Sequence, residues 1–246
     1  MASERRVERT IAGLAALALV AALGCSGMDF GPPTRVPVDQ RQAVDASAVG
    51  SSVSLPKDRA FNVHFKQSNQ NPGSDGTARG SADADGAGTA ACATEASNGG
   101  SAAGEFQIGH AMDSRAEVPV RAAVKLTFKL AQELDASPRS GSGMATLALT
   151  AFVRDSEGRI FPKFAVEALT SDEAAGRGSR SETREFAFTM EPGKSYQILL
   201  AGQVNVTTEA DTRAMAQLEI EDLEMAIDFA SVPEEEAQPQ PASAGR

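Results

Sequence analysis

The sequence predicts an all-β protein, an antiparallel β-sandwich or jelly roll, and three observations carry that expectation. From Val118 to Leu130 the even positions are apolar without a break: Val118, Val120, Ala122, Val124, Leu126, Phe128 and Leu130. Between them, Glu117, Arg121, Lys125, Thr127 and Lys129 are polar. A period of two over that length marks a strand with one buried and one wet side. Shorter alternating runs recur along the chain with turn residues between them, and sustained helical periodicity is scarce. Regularly spaced strands with turn signals pack as two sheets around one core. Seven to nine strands are expected within a single domain spanning residues 60–230.

The elements follow in order. Residues 25–59 are rich in Pro, Ser and Val without periodicity (Gly31-Pro32-Pro33, Val36-Pro37) and read as a tether. Phe61, Val63 and Phe65 alternate with Asn62, His64 and Lys66, as in a half-buried strand. From Asn69 to Gly104, 22 of 36 residues are Gly, Ala or Ser. So little apolar bulk predicts a disordered low-complexity insertion over 69–104. Phe106, Ile108 and Met112 then alternate, with His110 on the same face, ahead of the long strand, where Pro119 sits near the start. Leu147, Leu149, Ala151 and Val153 form the next strand. Asp155-Ser156-Glu157-Gly158 leads into Ile160–Leu169, a hairpin signal. Thr170–Thr183 reads as a polar loop.

Phe186, Phe188 and Met190 run into Glu191-Pro192-Gly193-Lys194, whose Pro and Gly fit the two central positions of a type II turn. Tyr196, Ile198, Leu200, Val204 and Val206 continue beyond it. In the last segment Ala214, Ala216, Leu218 and Ile220 occupy even positions, and Leu223, Met225, Ile227 and Phe229 odd ones. One slipped residue near Glu221-Asp222 suits a β-bulge. A helix competes with that strand, because Ala, Met, Leu, Glu and Gln are good helix formers. The acidic, proline-containing tail over 231–246 is disordered by composition.

The first 24 residues have another purpose. Arg5, Arg6 and Arg9 precede an uncharged run from Ile11 to Leu23, and Gly24 stands before Cys25. A charged start, a short apolar run and a small-residue cut site describe an export signal. Thirteen residues rise only about 20 Å as a helix, short of a bilayer's ~30 Å hydrocarbon core. Ala22-Leu23-Gly24-Cys25 resembles the bacterial lipobox, with Ala22 at the position usually held by Leu. The resemblance implies cleavage before Cys25 and acylation of its thiol, which would fix the protein to a lipid bilayer. Two or three acyl chains anchor firmly where one does so marginally. Ser26 after the cysteine implies, by the same resemblance, the outer membrane of the cell envelope. The alternative is an ordinary Ala22-x-Gly24 cut, which releases a secreted or periplasmic protein. Arg5-Arg6 is flanked by Glu4 and Glu8, unlike a twin-arginine signal. Residues 192–229 are also similar in pattern to exported bacterial β-sandwiches of the PEP-CTERM and choice-of-anchor kind, which implies a sandwich and no chemistry.

Composition narrows the function classes. The net charge of −10 becomes −11 once 1–24 are removed, because three arginines leave with two glutamates. Nucleic acid as partner needs the opposite field. With Cys25 acylated, Cys92 is the one remaining thiol, so neither a disulfide framework nor a cysteine metal cluster is expected, and no cofactor is implied. Eleven Phe, one Tyr and no Trp weigh against a flat aromatic sugar platform. Gly193-Lys194-Ser195 copies the end of a phosphate loop, but Phe188 stands where its first Gly belongs. Ser54-Leu55-Pro56-Lys57 matches a Ser-x-x-Lys pattern without its partner motifs. Asp83-x-Asp85-Gly86 opens like a calcium loop whose closing Glu position is held by Cys92. His64 is expected in solvent, His110 in the core, and Cys92 as an unpaired or intermolecularly oxidised thiol in the flexible insertion. No catalytic, cofactor-binding or metal residue is assigned. The resulting expectation is a non-enzymatic, lipid-anchored envelope sandwich that binds or scaffolds a protein or surface polymer. The alternatives are an envelope hydrolase with paired carboxylates, and a carbohydrate- or calcium-dependent binding module.

Overall fold

The computed structural model describes residues 35–137, 143–171 and 176–232. The described residues form twelve strands in two six-stranded sheets. They are β1 (Gln42–Val44), β2 (Ser52–Leu55), β3 (Val63–Asn71), β4 (Thr77–Ala84), β5 (Ala90–Ser97) and β6 (Ser101–Ser114), then β7 (Val120–Ser137), β8 (Met144–Asp155), β9 (Ile160–Thr170), β10 (Gly176–Met190), β11 (Ser195–Thr207) and β12 (Arg213–Ser231). One sheet runs β1-β6-β11-β8-β9, with β3 also on β6; the other runs β10-β7-β12-β5-β4, with β2 on β12. β1 pairs with β6 in parallel, and the other pairings are antiparallel. The protein is an all-β sandwich, as its alternation predicts.

The inward positions of the two sheets make one core. Phe106, Ile108 and Met112 of β6, Leu147 and Leu149 of β8, and Ile198 and Leu200 of β11 belong to the same buried cluster as Leu126, Phe128 and Leu130 of β7 and Leu218, Met225 and Ile227 of β12. Gly202 opposes Phe106 across the ladder. A Cβ there would lie 2.4 Å from the Phe106 ring, so the glycine leaves the space that the ring fills. Outward positions of the second sheet carry cross-strand ion pairs instead: Lys125 with Glu185 at 3.0 Å, Lys129 with Asp222 at 2.7 Å, and Arg213 with Glu95 at 2.7 Å.

The parity change near residue 221 is a β-bulge within a strand. Glu221 pairs with Lys129 and Glu224 with Thr127, so β12 spends one extra residue, and Asp222 takes a φ of 51°. Asp can enter that left-handed region at lower cost than β-branched or bulky residues. Ile220 and Leu223 are thereby both buried. The helical alternative for this segment is overturned.

Four boundaries differ from the sequence expectation. Within 25–59, the described residues from Arg35 onward do not behave as a tether: they contribute β1, β2 and two single-turn 3-10 helices, and Val36, Val44 and Leu55 are buried. Strands of three and four residues are too short to show a period. The insertion 69–104 is folded rather than disordered, holding the end of β3, all of β4 and β5, and the start of β6. Ala90, Cys92, Thr94 and Ala96 point inward from β5, while its backbone is paired on both sides, to β12 and β4. Ladder hydrogen bonds and the cover given to large side chains of other strands offset an entropy that its own small side chains could not. Within Thr170–Thr183, residues 176–183 are strand, the first half of β10. Val118 is 60% exposed and precedes β7, because Pro119 has no N–H to give the ladder. The tail beyond 232 lies outside the described residues.

Candidate functional site

Cys25 lies outside the described residues. The other singled-out residues are placed as follows. Lys194 donates its N–H to the Glu191 carbonyl at 3.3 Å and Gly193 has a φ of 74°, so Gly193-Lys194-Ser195 is turn and strand-start rather than a phosphate loop. Ser54 lies in β2, where its amide donates to the Asp58 carboxylate at 2.7 Å, and Lys57 is exposed. Asp83 pairs with Lys66. Asp85 closes its own turn, accepting from the amides of Ala87 and Thr89 and from the Thr89 hydroxyl. Among the described residues no group of three or more His, Cys, Asp or Glu side chains is placed to hold a metal ion.

His64 is exposed, as expected, and His110 is 1% exposed with Nε2 3.0 Å from Gln42 Oε1. Burial, with the Arg59 charge adding, pushes the His110 pKa down to about 4. Cys92 is not in a flexible loop. It lies in β5 at 1% exposure, and burial, with Glu105 adding, raises its thiol pKa. A thiol so placed is an inert core side chain.

The feature with the makings of a site stands at one end of the sandwich, where the β8–β9 hairpin meets the β10–β11 turn, which carries the chain from one sheet to the other. Tyr196 and Asp155 are cross-strand partners, so the two turns are neighbours. Between them opens a cleft of about 430 Å³ lined by Arg159, Ile160, Phe161, Thr189, Glu191 and Tyr196. Phe161 stands edge-to-face against Phe188 and Tyr196, with centroids 6.4 and 6.3 Å away. Phe188 and Tyr196 lie 5.5 Å apart, and the Tyr196 hydroxyl accepts the Glu191 N–H at 2.8 Å. Burial raises the Tyr196 pKa and keeps the phenol protonated. Phe164 and Phe186 pair nearby at 5.5 Å, and Ile160 and Phe164 are 38% and 37% exposed.

Arg159 is held from behind. Asp155 Oδ1 accepts the amides of Glu157 and Arg159, both at 2.9 Å, and Oδ2 accepts Arg159 Nε at 2.6 Å. Burial by itself raises the Asp155 pKa. The bonds from the Arg159 side chain and the two amides, with the Arg159 charge, outweigh it and hold the carboxyl below its usual range. Glu157 stands 3.3 Å from the same Nε and 3.4 Å from Lys194 Nζ. The guanidinium is thus oriented through one nitrogen. Glu191 is the carboxylate lining the cleft, since Asp155 and Glu157 are engaged behind Arg159. The paired free carboxylates that a hydrolase reading requires are not found around this cleft among the described residues.

The sequence reading named the two turns but none of Arg159, Phe161, Glu191 and Tyr196 as a group. The available signal was that both turns carry charge next to an aromatic; that they share one end follows only from the β8–β11 pairing. A second concavity of about 320 Å³ crosses the outer face of the other sheet, over Arg79, Ala93, Glu95, Met215 and Gln217. Small side chains leave it shallow.

The sequence matches no family model and no curated protein. Among solved structures, the chain is similar to the enzymatically active domain of tailspike protein 4 from bacteriophage CBA120 (12% identity, TM-score 0.29), over 66% of this chain and 19% of that one. It therefore spans about a fifth of the tailspike domain's length. It is also similar to the CBM22-1 xylan-binding domain of Paenibacillus barcinonensis Xyn10C (12% identity, TM-score 0.23, covering 74% of this chain and 98% of that one). A family 11 carbohydrate-binding module from Clostridium thermocellum gives 9% identity and a TM-score of 0.21 over 72% and 95%. Superpositions this loose carry no information on ligand or chemistry.

Proposed function

We propose that this protein is a non-catalytic binding module of the bacterial cell envelope, lipid-anchored through Cys25, which meets its ligand at the cleft between the β8–β9 hairpin and the β10–β11 turn. The observation that carries the binding reading is the composition of that cleft. An aromatic cluster, a guanidinium aligned from behind and one carboxylate converge on a single open concavity. Such a mixture of apolar wall and few polar groups is what ligand sites present. The anchor rests on the charged start, the apolar run and the lipobox resemblance at Ala22-Leu23-Gly24-Cys25. In this reading an acylated residue 25 holds the folded part, described from Arg35, close to the membrane, where it engages envelope material.

The test has two arms. Full-length chain solubilised in detergent should retain envelope material on an affinity column, and Phe161→Ala, which loses the ring contacts to Phe188 and Tyr196 and should still melt cooperatively at a lower Tm, should release it. Equal retention by both forms would remove the cleft from the reading. Cys25→Ser should accumulate uncleaved precursor and lose acyl labelling; normal processing of that variant would remove the anchor. Recovery of the wild type mainly from inner-membrane fractions would overturn the outer-membrane assignment alone.

A further inference from the structure

We infer that the end cleft takes an uncharged, polyhydroxylated ring, a neutral sugar unit of a surface polymer, seated against Phe161 with Arg159 and Glu191 on its hydroxyls. The inference rests on the binding reading above and names its ligand class.

Charge balance decides between ligand classes. A phosphate or carboxylate would seek Arg159, but that guanidinium already carries Asp155 and Glu157 at 2.6 and 3.3 Å, and Glu191 faces the same space. The surroundings are net acidic even with Lys194 counted, so an anion meets repulsion. A cationic ligand is not repelled, but it finds Glu191 as the single carboxylate of the lining, because Asp155 and Glu157 are engaged behind Arg159, and it leaves the Arg159 fork unused. A neutral ligand meets no repulsion and can use both groups.

The geometry supplies what such a ligand needs. Arg159 bonds the protein through Nε, and no bond from its two terminal Nη groups is found among the described residues. Those groups form a donor fork whose direction is fixed before a ligand arrives. Glu191 is an exposed acceptor whose backbone is pinned by Tyr196, and Thr189 can donate or accept. Donors on one side and acceptors on the other match adjacent hydroxyls, each of which both gives and takes a hydrogen bond. Phe161, held edge-to-face by two neighbours, gives an apolar wall for the C–H face of a ring. Pre-aligned groups lose little freedom on binding.

Affinity electrophoresis of the detergent-solubilised full-length chain tests this. The gels contain neutral polymers (a glucan, a mannan, a galactan), anionic polygalacturonate or cationic chitosan oligomers. At least one neutral polymer should retard the wild type, whereas any retardation by the charged polymers, including the general attraction of a chain of net charge −10 to chitosan, should be the same in wild type and cleft variants. Glu191→Gln, an exposed change that leaves the core alone, should weaken that retardation by about tenfold or more, the usual scale for a hydrogen bond to a charged group. Phe161→Ala should do the same, its fold checked by a thermal melt. Retardation by charged polymers alone, by no polymer, or by neutral polymers equally in wild type and both variants would overturn the inference. If envelope material is still retained in a Phe161-dependent way while no neutral polymer binds, the ligand class falls and the binding reading stands. If neither occurs, both fall.

Discussion

Removing the Asp155 carboxylate should loosen the whole cleft end of the sandwich. Its side chain is fully buried, and it accepts three hydrogen bonds: the Glu157 and Arg159 amides at 2.9 Å, and Arg159 Nε at 2.6 Å. Hydrogen bonds to charged groups contribute about 1.5–3 kcal/mol each, and a solvent-facing turn recovers part of that from water. Asp155→Ala should therefore cost roughly 2–4 kcal/mol. In a domain of this size, each kcal/mol lowers Tm by about 2–4 °C. Asp155→Asn keeps the acceptor for both amides but turns an NH₂ toward Arg159 Nε, so it should cost about half as much. Urea titrations at pH 7, read by far-UV circular dichroism, measure both. The sign with pH follows from the depressed carboxyl: its contribution is complete above the unfolded value of 3.8 and is lost as pH falls through the lower folded value. Both variants within about 0.5 kcal/mol of wild type would refute the reasoning, and with it the claim that Arg159 is aligned from behind.

His110 titrates in the opposite chemical sense but weakens the fold in the same direction. Its pKa falls from 6.5 in the unfolded chain to about 4 in the core, so its contribution is complete above 6.5 and shrinks by roughly 3 kcal/mol as pH drops to 4. His110→Gln should flatten that part of the urea midpoint's pH profile; an unchanged slope would count against it. Phe128→Ala should cost about 3–5 kcal/mol in a denaturant titration. Lys129→Ala, one residue on and facing water, should leave the midpoint in place, and equal effects would argue against the strand. Gly202→Ala puts a methyl 2.4 Å from the Phe106 ring and should destabilise by about 1–3 kcal/mol; a neutral result would mean the ring moves freely.

The legible part of this fold was the part with period. Alternation over Val120–Leu130 and Phe186–Met190 reports side chains facing two different media, and burial follows it residue by residue; over Leu147–Val153 the inward set is buried as read, but Thr150 and Phe152 on the other face are buried too. The slip at Glu221-Asp222 was readable for the same reason, because a bulge must shift the parity of every later side chain. The β8–β9 and β10–β11 turns were readable because Gly158 and Gly193 supply positive φ, 82° and 74°, where a turn demands it.

Segment 69–104 was misread because composition counts only the apolar area that a segment owns. β5 is held by ladders to β12 and β4 and fills narrow space beside Gly104, where a Cβ would lie 3.1 Å from that of Cys92. Those are properties of its neighbours. The cleft was hidden likewise. The scarcity of Tyr and Trp argued against an aromatic platform, yet folding gathers Phe161, Phe188 and Tyr196 from β9, β10 and β11 around one opening. By itself the sequence determined the inward faces of the strands with large apolar side chains and the turns at Gly158 and Gly193, because those depend on residues adjacent in the chain. Which strands pair, and so which turns share an end and which charges and rings share a cleft, the tertiary structure alone decided, because strand partners are chosen by packing between residues far apart in sequence.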